Sequence, residues 1–460
     1  MNTETLEVFD IDKYSQILNK TDPIKYVGKI KKINALVVES IGPKAQIGEV
    51  CKIILSTGAQ ISAEVIGLEG ETVKLMCYDE MEGIEIGDMV IASGEQLSVF
   101  VGEYVLGKVL DGIGKIYNDK GQLGSGEFYP IFNKPSDALN RKMITEPLVT
   151  GVKAIDGLLT IGKGQRIGIF AGSGVGKSTL LGMIARNSVA DVNVIALIGE
   201  RGRELNEFIK SELGDEGLKR SVIIFASSNK PALSRVRGCF VATAIAEYFR
   251  DQGKDVILMM DSVTRFAWAQ REIGLSLNEA PASKGFTPSV LTMLPKLMER
   301  AGTSDKGTIT GIYTVLVEGD DTDEIISDTI RGILDGHIVL SRKIAHKNHY
   351  PAIDVLSSIS RLMVKITDPE QRKKAGLIRE LMAAYKEKED LIDIGAYASG
   401  SDPKVDAAIM LKGKIETFLK QDIEEAFTFE QTLAEMDDVL SIFFNDKTEE
   451  VNDSADLVFE

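Results

Sequence analysis

The feature that most constrains this chain is a glycine-rich loop between a β-type segment and a helical one. The segment QRIGIF predicts a buried strand, and LLGMIAR after the loop has helical spacing. The glycines between them let the backbone approach a phosphate chain and direct several N–H groups towards it. This strand–loop–helix order makes the P-loop pattern a credible phosphate site. The loop and its first helical residues are Ala171, Gly172, Ser173, Gly174, Val175, Gly176, Lys177, Ser178 and Thr179.

Two side chains of this loop carry the chemistry of a nucleotide site. Lys177 is placed to neutralise the β- and γ-phosphates, and the Ser178 hydroxyl is placed to ligate Mg²⁺. The helix that begins near Lys177 adds the partial positive charge of its N-terminus. Ala171 stands where the pattern usually has its first glycine, and alanine is small enough to be accommodated. The loop alone predicts nucleotide binding and leaves hydrolysis open.

Two carboxylates that end strand-like segments extend the prediction to hydrolysis. Asp261 ends the apolar run VILMM, so it should emerge at the carboxyl edge of a parallel sheet, where a carboxylate can serve Mg²⁺. Glu200 closes VIALIGE, and its carboxylate could polarise the water that attacks the γ-phosphate. The residues alone leave two alternatives: Asp261 as a cap of the next segment, and Glu200 in a structural ion pair with a nearby arginine.

Two later residues are further candidates. Arg361, in SSISRLM, could reach the nucleotide site of a neighbouring chain and stabilise charge on the transferring phosphoryl group. The alternative for Arg361 is a surface salt bridge at the edge of the core. Tyr350, in HYPAID, could stack on adenine with its π-face, or only pack beside Pro351.

Changes of pattern along the chain predict five segments. Residues 1–23 have weak helical periodicity, and residues 24–95 alternate apolar and polar positions between frequent glycines, which predicts a small antiparallel β-barrel or sandwich. Residues 96–368 alternate buried strand-like runs with helices, typical of an α/β domain whose ligand lies at the carboxyl ends of its strands. Residues 369–444 predict a helical domain, and residues 445–460 an acidic, disordered tail.

Composition narrows the class of protein. Lys and Arg number 53 against 69 Asp and Glu, and the net charge of −16 argues against a general nucleic-acid binder. Cys51, Cys77 and Cys239 lack metal-like spacing, so we expect free thiols in a reducing cytoplasm. No signal peptide is visible, and no apolar run approaches the roughly 20 residues that span a bilayer. We therefore expect a cytoplasmic protein whose membrane association is peripheral only.

These motifs together resemble the rotary ATPase superfamily, and within it the type III export ATPases of bacterial flagella and injectisomes. The resemblance is carried by residues 150–186 around the loop, GERGRE at 199–204, ILMMDSVTRFAWAQREIGL at 257–275 and NHYPAIDVLSSISRLM at 348–363, with a shorter match in FLKQ at 418–421. It implies an N-terminal β-barrel, a central RecA/F1-like P-loop domain with a mostly parallel sheet, and a C-terminal α-helical domain.

The resemblance also implies roles for single residues. Lys177 and Ser178 take the P-loop roles, Asp261 the Walker B role and Glu200 that of the catalytic carboxylate. Arg361 takes the role of a trans-acting arginine finger, and Tyr350 that of an adenine-side aromatic. The implied activity is Mg²⁺-dependent ATP hydrolysis by a homohexamer.

The biological role implied by the resemblance is to energise type III protein export, with flagellar components preferred as the cargo. The implied partners are a stator-like regulator at residues 1–23, a coiled-coil stalk, chaperone–substrate complexes and the export gate at the cytoplasmic face of the inner membrane. Three other classes stay open: an ion-translocating rotary ATPase catalytic subunit, a ring-shaped RNA translocase and a nucleotide-locked structural subunit.

Overall fold

The computed structural model describes Ser15 and residues 26–117, 124–282, 284–317 and 324–453. The chain divides into two compact units, Met1–Leu97 and Ser98–Glu460. The predicted regulator-binding segment 1–23 lies outside the described residues apart from Ser15. The predicted boundary between the P-loop domain and the helical domain, at residue 369, falls within the second unit and stays a prediction.

Residues 26–97 form a closed antiparallel barrel of six described strands, which confirms the predicted barrel. Side chains on one face of each strand, such as Ile53, Val65 and Leu75, fill its core because successive side chains of a strand point to opposite faces. The strands follow the order β1-β2-β5-β4-β3-β6 and are β1 (Val27–Asn34), β2 (Val37–Ile41), β3 (Glu49–Ile54), β4 (Gln60–Glu69), β5 (Thr72–Cys77) and β6 (Met89–Gln96).

The second unit is built on a mostly parallel sheet, as predicted. Among the described residues the sheet has nine strands, in the order β19-β18-β12-β17-β15-β13-β14-β8 with β16 beside β17, and only the β18–β19 and β16–β17 pairs are antiparallel. Its strands are β8 (Val109–Leu110), β12 (Arg166–Ala171), β13 (Val192–Ile198), β14 (Ser221–Ala226), β15 (Asp255–Asp261), β16 (Gly302–Thr303), β17 (Thr308–Leu316), β18 (Gly336–Leu340) and β19 (Ile353–Ser360).

The central strands are apolar at nearly every position because helices cover the sheet. Two smaller pairs complete the strands: β7 (Ser98–Val101) with β9 (Glu127–Pro130), and β10 (Pro147–Leu148) with β11 (Ile161–Gly162). The helices before the C-terminal region are α1 (Lys153–Leu158), α2 (Lys177–Asn187), α3 (Gly202–Glu207), α4 (Gly214–Lys219), α5 (Ala232–Asp251), α6 (Val263–Ser276), α7 (Pro288–Met298), α8 (Ile325–Ile333), α9 (Arg342–His346) and α10 (Met363–Ile366), with a π-helical turn at Phe208–Leu213.

The C-terminal region is helical, as predicted, and comprises α11 (Pro369–Asp393), α12 (Pro403–Leu419) and α13 (Phe429–Asp453). Asp368 and Asp402 cap α11 and α12, because the Asp368 carboxylate accepts a hydrogen bond from one main-chain N–H of the first turn and the Asp402 carboxylate accepts from two. These helices pack on α1 at Gly157, where an added Cβ would lie 2.9 Å from Sδ of Met436 and 3.1 Å from Cζ of Phe418. A larger residue at this position would displace these two side chains, so glycine permits the close packing seen here.

The end of α13 corrects one prediction. The helix continues to Asp453, so residues 445–453 are helical where composition predicted a disordered tail from residue 445. The helix is anchored by the buried residues Met436 and Leu440 and contains no proline or glycine up to Asp453. Extending an anchored helix is far easier than nucleating one, and the acidic composition did not reveal this. In the described part of the chain, every helix is too short or too polar to cross a bilayer.

Candidate nucleotide site

The P-loop lies at the carboxyl edge of the sheet, between β12 and α2. Gly176 caps the N-terminus of α2 with a φ of 88°, and Gly174 has a φ of 77°. Side chains other than glycine rarely adopt these angles, so the turn itself requires both glycines. The main-chain N–H groups at the start of α2 carry the partial positive charge of the helix terminus. The loop therefore has the local conformation of a phosphate cradle.

The loop opens into a cavity of about 910 Å³. Its walls are formed by the loop, by residues at the carboxyl ends of β13, β15 and β17, and by residues of α3, α6, α9 and the π-helical turn. The predicted site residues that line the cavity are Gly172, Ser173, Gly174, Gly176, Lys177, Ser178, Thr179, Glu200 and Asp261. Val175 lies instead in the core beneath the loop, 1% exposed, and Tyr350 and Arg361 lie outside the cavity wall.

The ammonium group of Lys177 is shared by two carboxylates. Its Nζ forms an ion pair with Oδ1 of Asp261 and lies 3.8 Å from Oε1 of Glu200. The hydroxyl of Thr314 donates to the same Oδ1 of Asp261 at 2.8 Å and holds the carboxylate in place. Strands β13 and β15 are parallel neighbours, so the residues at their ends meet at one edge. The carboxylates of Glu200 and Asp261 therefore lie together beside Lys177.

Glu200 has an unusual acidity for a carboxyl group. Burial, the negative charge of Asp261 and a hydrogen bond shared with Glu204 raise the pKa of Glu200 to about 7, and Lys177 opposes the rise. The same shared hydrogen bond lowers the pKa of Glu204. A carboxyl group that titrates near neutral pH can both take a proton from water and return it.

Several cavity residues were not predicted from the sequence. Arg265 stacks on the ring of Trp268, with 4.9 Å between the guanidinium carbon and the ring centroid. The guanidinium of Arg342 lies beside Gly172, with Nη2 2.7 Å from where a Cβ would stand. Arg265 and Trp268 could have been found, because their helix directly follows Asp261 in the sequence. Arg342 comes from a distant strand end, and the pattern gave no signal for it. The other charged residues of the wall are Arg201, Glu204, Glu207 and Glu212.

The charges of the cavity wall do not favour a polyanion by themselves. In the described chain, four cationic side chains face five acidic ones across the wall. A nucleoside triphosphate would add several negative charges, and buried charge needs compensation. The loop N–H groups supply part of it. Tight binding of a triphosphate therefore requires further positive charge from outside this set of side chains.

The two outlying candidates lie in defined positions. The ring of Tyr350 stands beside the P-loop, with two ring carbons 3.5 and 3.6 Å from where a Cβ of Gly176 would be, and the side chain is 41% exposed. Arg361 directly follows β19 and is exposed. Its Nη2 donates to the carbonyl of Arg331 at 3.4 Å, and its main-chain N–H donates to the carbonyl of Asp335 at 3.0 Å.

A mostly parallel sheet with a P-loop at its carboxyl edge, and acidic residues at the ends of two neighbouring strands, defines the class of P-loop nucleoside triphosphatases. The comparisons with known proteins agree with this class. Residues 151–360 match the nucleotide-binding domain of the ATP synthase alpha/beta family, and residues 30–94 match the beta-barrel domain of the same family. Residues 367–438 match the C-terminal domain of the T3SS EscN ATPase.

Similarity to individual proteins extends over nearly the whole chain. The flagellum-specific ATP synthase of Treponema pallidum is 52% identical over 425 residues, which cover 92% of this chain and 95% of that protein. The type 3 secretion system ATPase of Xanthomonas euvesicatoria is 47% identical over 407 residues, covering 88% and 92%. The chain therefore belongs to the family of flagellum-specific and type III secretion ATPases, which are ATP hydrolases.

Solved structures give the same result. The assembled ATPase EscN from the type III secretion system of enteropathogenic E. coli matches with a TM-score of 0.86 at 45% identity, covering 90% of this chain and 100% of that one. EscN in complex with its central stalk EscO matches with a TM-score of 0.84 at the same identity and coverage.

Proposed function

We propose that this protein hydrolyses Mg²⁺-ATP to energise type III protein export, with flagellar components as its cargo. The observation that carries the catalytic part is the meeting of Glu200 and Asp261 at the P-loop lysine, Lys177. The export part is supported by the match of residues 367–438 to the EscN C-terminal domain and by the flagellar relatives at 52% and 50% identity. That C-terminal match favours export over ion pumping.

The side chains divide the work at the phosphate end. Lys177 and the loop N–H groups bind the β- and γ-phosphates, and this binding draws the ammonium away from Asp261. Glu200 accepts a proton from the attacking water, a role for which a pKa of about 7 is well matched. Tyr350 stacks on the adenine from its position beside Gly176.

The residues fit a magnesium ion. The Ser178 hydroxyl and the Asp261 carboxylate are oxygen donors that line the same cavity, and Mg²⁺ uses one or two such protein ligands together with phosphate and water oxygens. When bound, the cation neutralises charge on the phosphate oxygens. The acidic excess of the cavity wall is in accord with a ligand that enters together with a cation.

Arg361 completes the site from a neighbouring chain. It is exposed, it stands outside the cavity wall of its own chain, and its side chain is held there by one long hydrogen bond, of 3.4 Å, to the carbonyl of Arg331. Breaking that bond lets the side chain enter the site of a neighbour. We place the protein in a homohexameric ring closed by this contact. Its partners are a coiled-coil stalk, a regulator at residues 1–23, and chaperone–substrate complexes delivered to an export gate at the cytoplasmic face of the inner membrane.

The test of the catalytic assignment is Glu200→Gln. We expect this variant to bind Mg²⁺-ATP with near-normal affinity and to lose turnover by a factor on the order of 10²–10⁴, because the group that activates water is gone. Trp268 is the one tryptophan of the chain and lines the cavity, so its fluorescence reports binding. Glu207→Gln makes the same change on the exposed part of the wall and should keep its turnover. Normal hydrolysis by Glu200→Gln would show that another group activates the water.

The export role is tested in cells. A strain that carries Glu200→Gln in place of the wild-type protein should make flagellar subunits but fail to release them into the medium. Undiminished release would contradict an export function. The RNA-translocase alternative predicts ATPase stimulation by RNA that falls steeply with salt, whereas we expect the rate to rise with protein concentration alone as rings assemble.

A further inference from the structure

Gln421 lies in the connection between α12 and α13 and is buried, with 5% of its surface exposed. Its side-chain amide donates to the carbonyls of Gly151 at 2.7 Å and Glu425 at 3.0 Å, and its Oε1 accepts from the N–H of Lys153 at 3.0 Å. Its own main-chain N–H donates to the carbonyl of Tyr350 at 3.0 Å. One residue thus joins the segment before the P-loop strand to the segment that carries the candidate adenine-stacking ring.

The connection around Gln421 is also fixed to the far end of the P-loop helix. Nη2 of Arg186 donates to the carbonyl of Ile423 at 2.6 Å, and the amide of Asn187 donates to the carbonyl of Glu425 at 3.3 Å. Arg186 and Asn187 are the last residues of α2, whose first residue is the P-loop lysine. The connection is therefore held by the segment at Gly151 and Lys153 and by the end of α2. The main-chain N–H of Gln421 in turn holds the main chain of Tyr350 in place.

Burying a side-chain amide destabilises the folded protein unless its polar atoms form hydrogen bonds, because each unpaired group loses its hydrogen bonds to water. Here both amide hydrogens and the amide oxygen have partners. An apolar side chain of the same length would fill the volume without these bonds. What the amide adds is therefore a fixed direction for the main chain at residue 421.

We propose that Gln421 is a positioning residue for recognition of the nucleotide base. Its side chain fixes the main chain at residue 421 to Gly151 and Lys153, and that main chain fixes Tyr350 at its distance from Gly176. The inference rests on the adenine-stacking role proposed for Tyr350. It has a specific consequence: loss of the amide weakens binding of the base and leaves binding of the phosphates unchanged.

The test compares ATP with inorganic tripolyphosphate, which has the phosphates but no base. In Gln421→Met we expect the affinity for Mg²⁺-ATP, followed by Trp268 fluorescence, to fall on the order of tenfold, within the range of a base–aromatic stack. The affinity for Mg²⁺-tripolyphosphate should stay at the wild-type value. The KM for ATP should rise with little change in kcat, the pattern expected when binding is lost equally in the ground state and the transition state.

Gln371 provides a matched control. It is 2% exposed, and its amide donates to the carbonyl of Asp156 at 3.1 Å and to Oγ1 of Thr160 at 3.0 Å, so it ties α11 to α1 away from Tyr350. Gln371→Met removes an equally buried amide and should lower thermal stability. It should leave the ratio of ATP affinity to tripolyphosphate affinity unchanged. If the ratio of ATP affinity to tripolyphosphate affinity changed equally in both variants, Gln421 would have only a structural role and the inference would be overturned.

Tyr350→Ala separates failure of the inference from failure of the proposed base site. If Tyr350→Ala weakens ATP alone and Gln421→Met changes neither ligand, the stacking role stands and the inference falls. If Tyr350→Ala also changes neither ligand, the base site itself is misassigned. In the double variant we expect no further loss of ATP affinity beyond Tyr350→Ala, because the two residues act on one contact, and additive losses would contradict the inference.

A second substitution keeps the test decisive if Gln421→Met does not fold. Gln421→Glu retains the length of the side chain and the acceptor for the Lys153 N–H, but loses both donations to carbonyl groups. It should show the same loss of ATP affinity with unchanged tripolyphosphate affinity. Wild-type affinity for ATP in this variant would overturn the inference.

Discussion

Two buried charge clusters in the P-loop unit differ in how far their charges are satisfied. In the first, Arg300 and Glu247 are each 1% exposed, and Nε and Nη2 of the arginine donate to the two carboxylate oxygens at 2.8 and 2.7 Å. The third nitrogen donates to the carbonyl of Ile131 at 2.6 Å, and Asn133 donates to the carboxylate at 2.9 Å. We call this the closed cluster.

The second cluster is that of Lys177, Glu200 and Asp261, and we call it the open cluster. Two carboxylates share one ammonium at the wall of a cavity, and the pKa of Glu200 is raised to about 7. The closed cluster has no unsatisfied charge to offer a ligand, so it can only hold structure. The open cluster has one positive charge for two carboxylates, and Glu200 can exchange a proton. We therefore expect a ligand and its cation to balance the charges of this cluster. The structural cluster and the ligand-binding cluster are therefore distinguished less by their burial than by whether each charged group already has a partner of opposite charge.

The largest effect we predict for a residue outside the cavity wall tests whether the open cluster is completed from outside the chain. Arg361→Ala should bind ATP as the wild type does and lose assembly-dependent turnover by about 10³-fold or more, as expected for loss of an arginine finger. The measurement is steady-state ATP hydrolysis against protein concentration, with binding followed by Trp268 fluorescence.

Mixing provides the control for this prediction. Arg361→Ala chains combined with Lys177→Met chains should regain part of the activity, because a mixed interface pairs an intact loop with an intact arginine. If the mixture is as inactive as its parts, Arg361 does not act across an interface.

The next effect contrasts the two clusters directly. Arg300→Met should lower the free energy of unfolding by about 3–5 kcal/mol, because it leaves the buried Glu247 carboxylate without its cation. Lys177→Met should cost less than Arg300→Met, because Glu200, one of the two carboxylates that share Lys177, can take up a proton, and Thr314 still donates to Asp261. Urea unfolding measures both values.

Activity should show the opposite order. Lys177→Met should abolish turnover, whereas the folded fraction of Arg300→Met should hydrolyse ATP at nearly the wild-type rate. Equal losses of stability in the two variants would show that the distinction between closed and open clusters is wrong.

The open cluster was largely predictable from the sequence and the closed one was not. A polar residue that ends an apolar run in a parallel sheet must emerge at the carboxyl edge, so Glu200 and Asp261 could be placed beside the loop from local pattern alone. Arg300 and Glu247 meet because α5 and the residues after α7 pack together, and periodicity does not encode such a pairing.

Long-range packing also explains the other residues that the sequence did not reveal. Gln421 contacts Gly151 across 270 positions of the chain, and no local pattern indicates that contact. The edge strand β19 pairs antiparallel to β18, and its own sequence, IDVLSSIS, contains no long apolar run. Its pattern therefore does not predict a strand. Local pattern thus determined which residues could bind phosphate, and the fold determined which residues support them.

The smallest predicted effect concerns the proton of the open cluster. Since Glu200 must be ionised to accept a proton from water, kcat/KM should fall as the pH drops below about 7, the pKa of this carboxyl group in the free protein. Glu204 raises that pKa through its shared hydrogen bond and its charge. In Glu204→Gln the amide can donate to the Glu200 carboxylate and stabilise its ionised form. The acid limb, which is the fall of kcat/KM at low pH, should therefore move to lower pH. At pH 6 the variant should be faster than the wild type by less than about tenfold, since one pKa unit corresponds to a tenfold change in ionised fraction. Glu207→Gln, on the exposed part of the wall, should leave the limb in place. An acid limb that stays fixed in Glu204→Gln, or moves to higher pH, would mean that the open cluster does not set the protonation of the base.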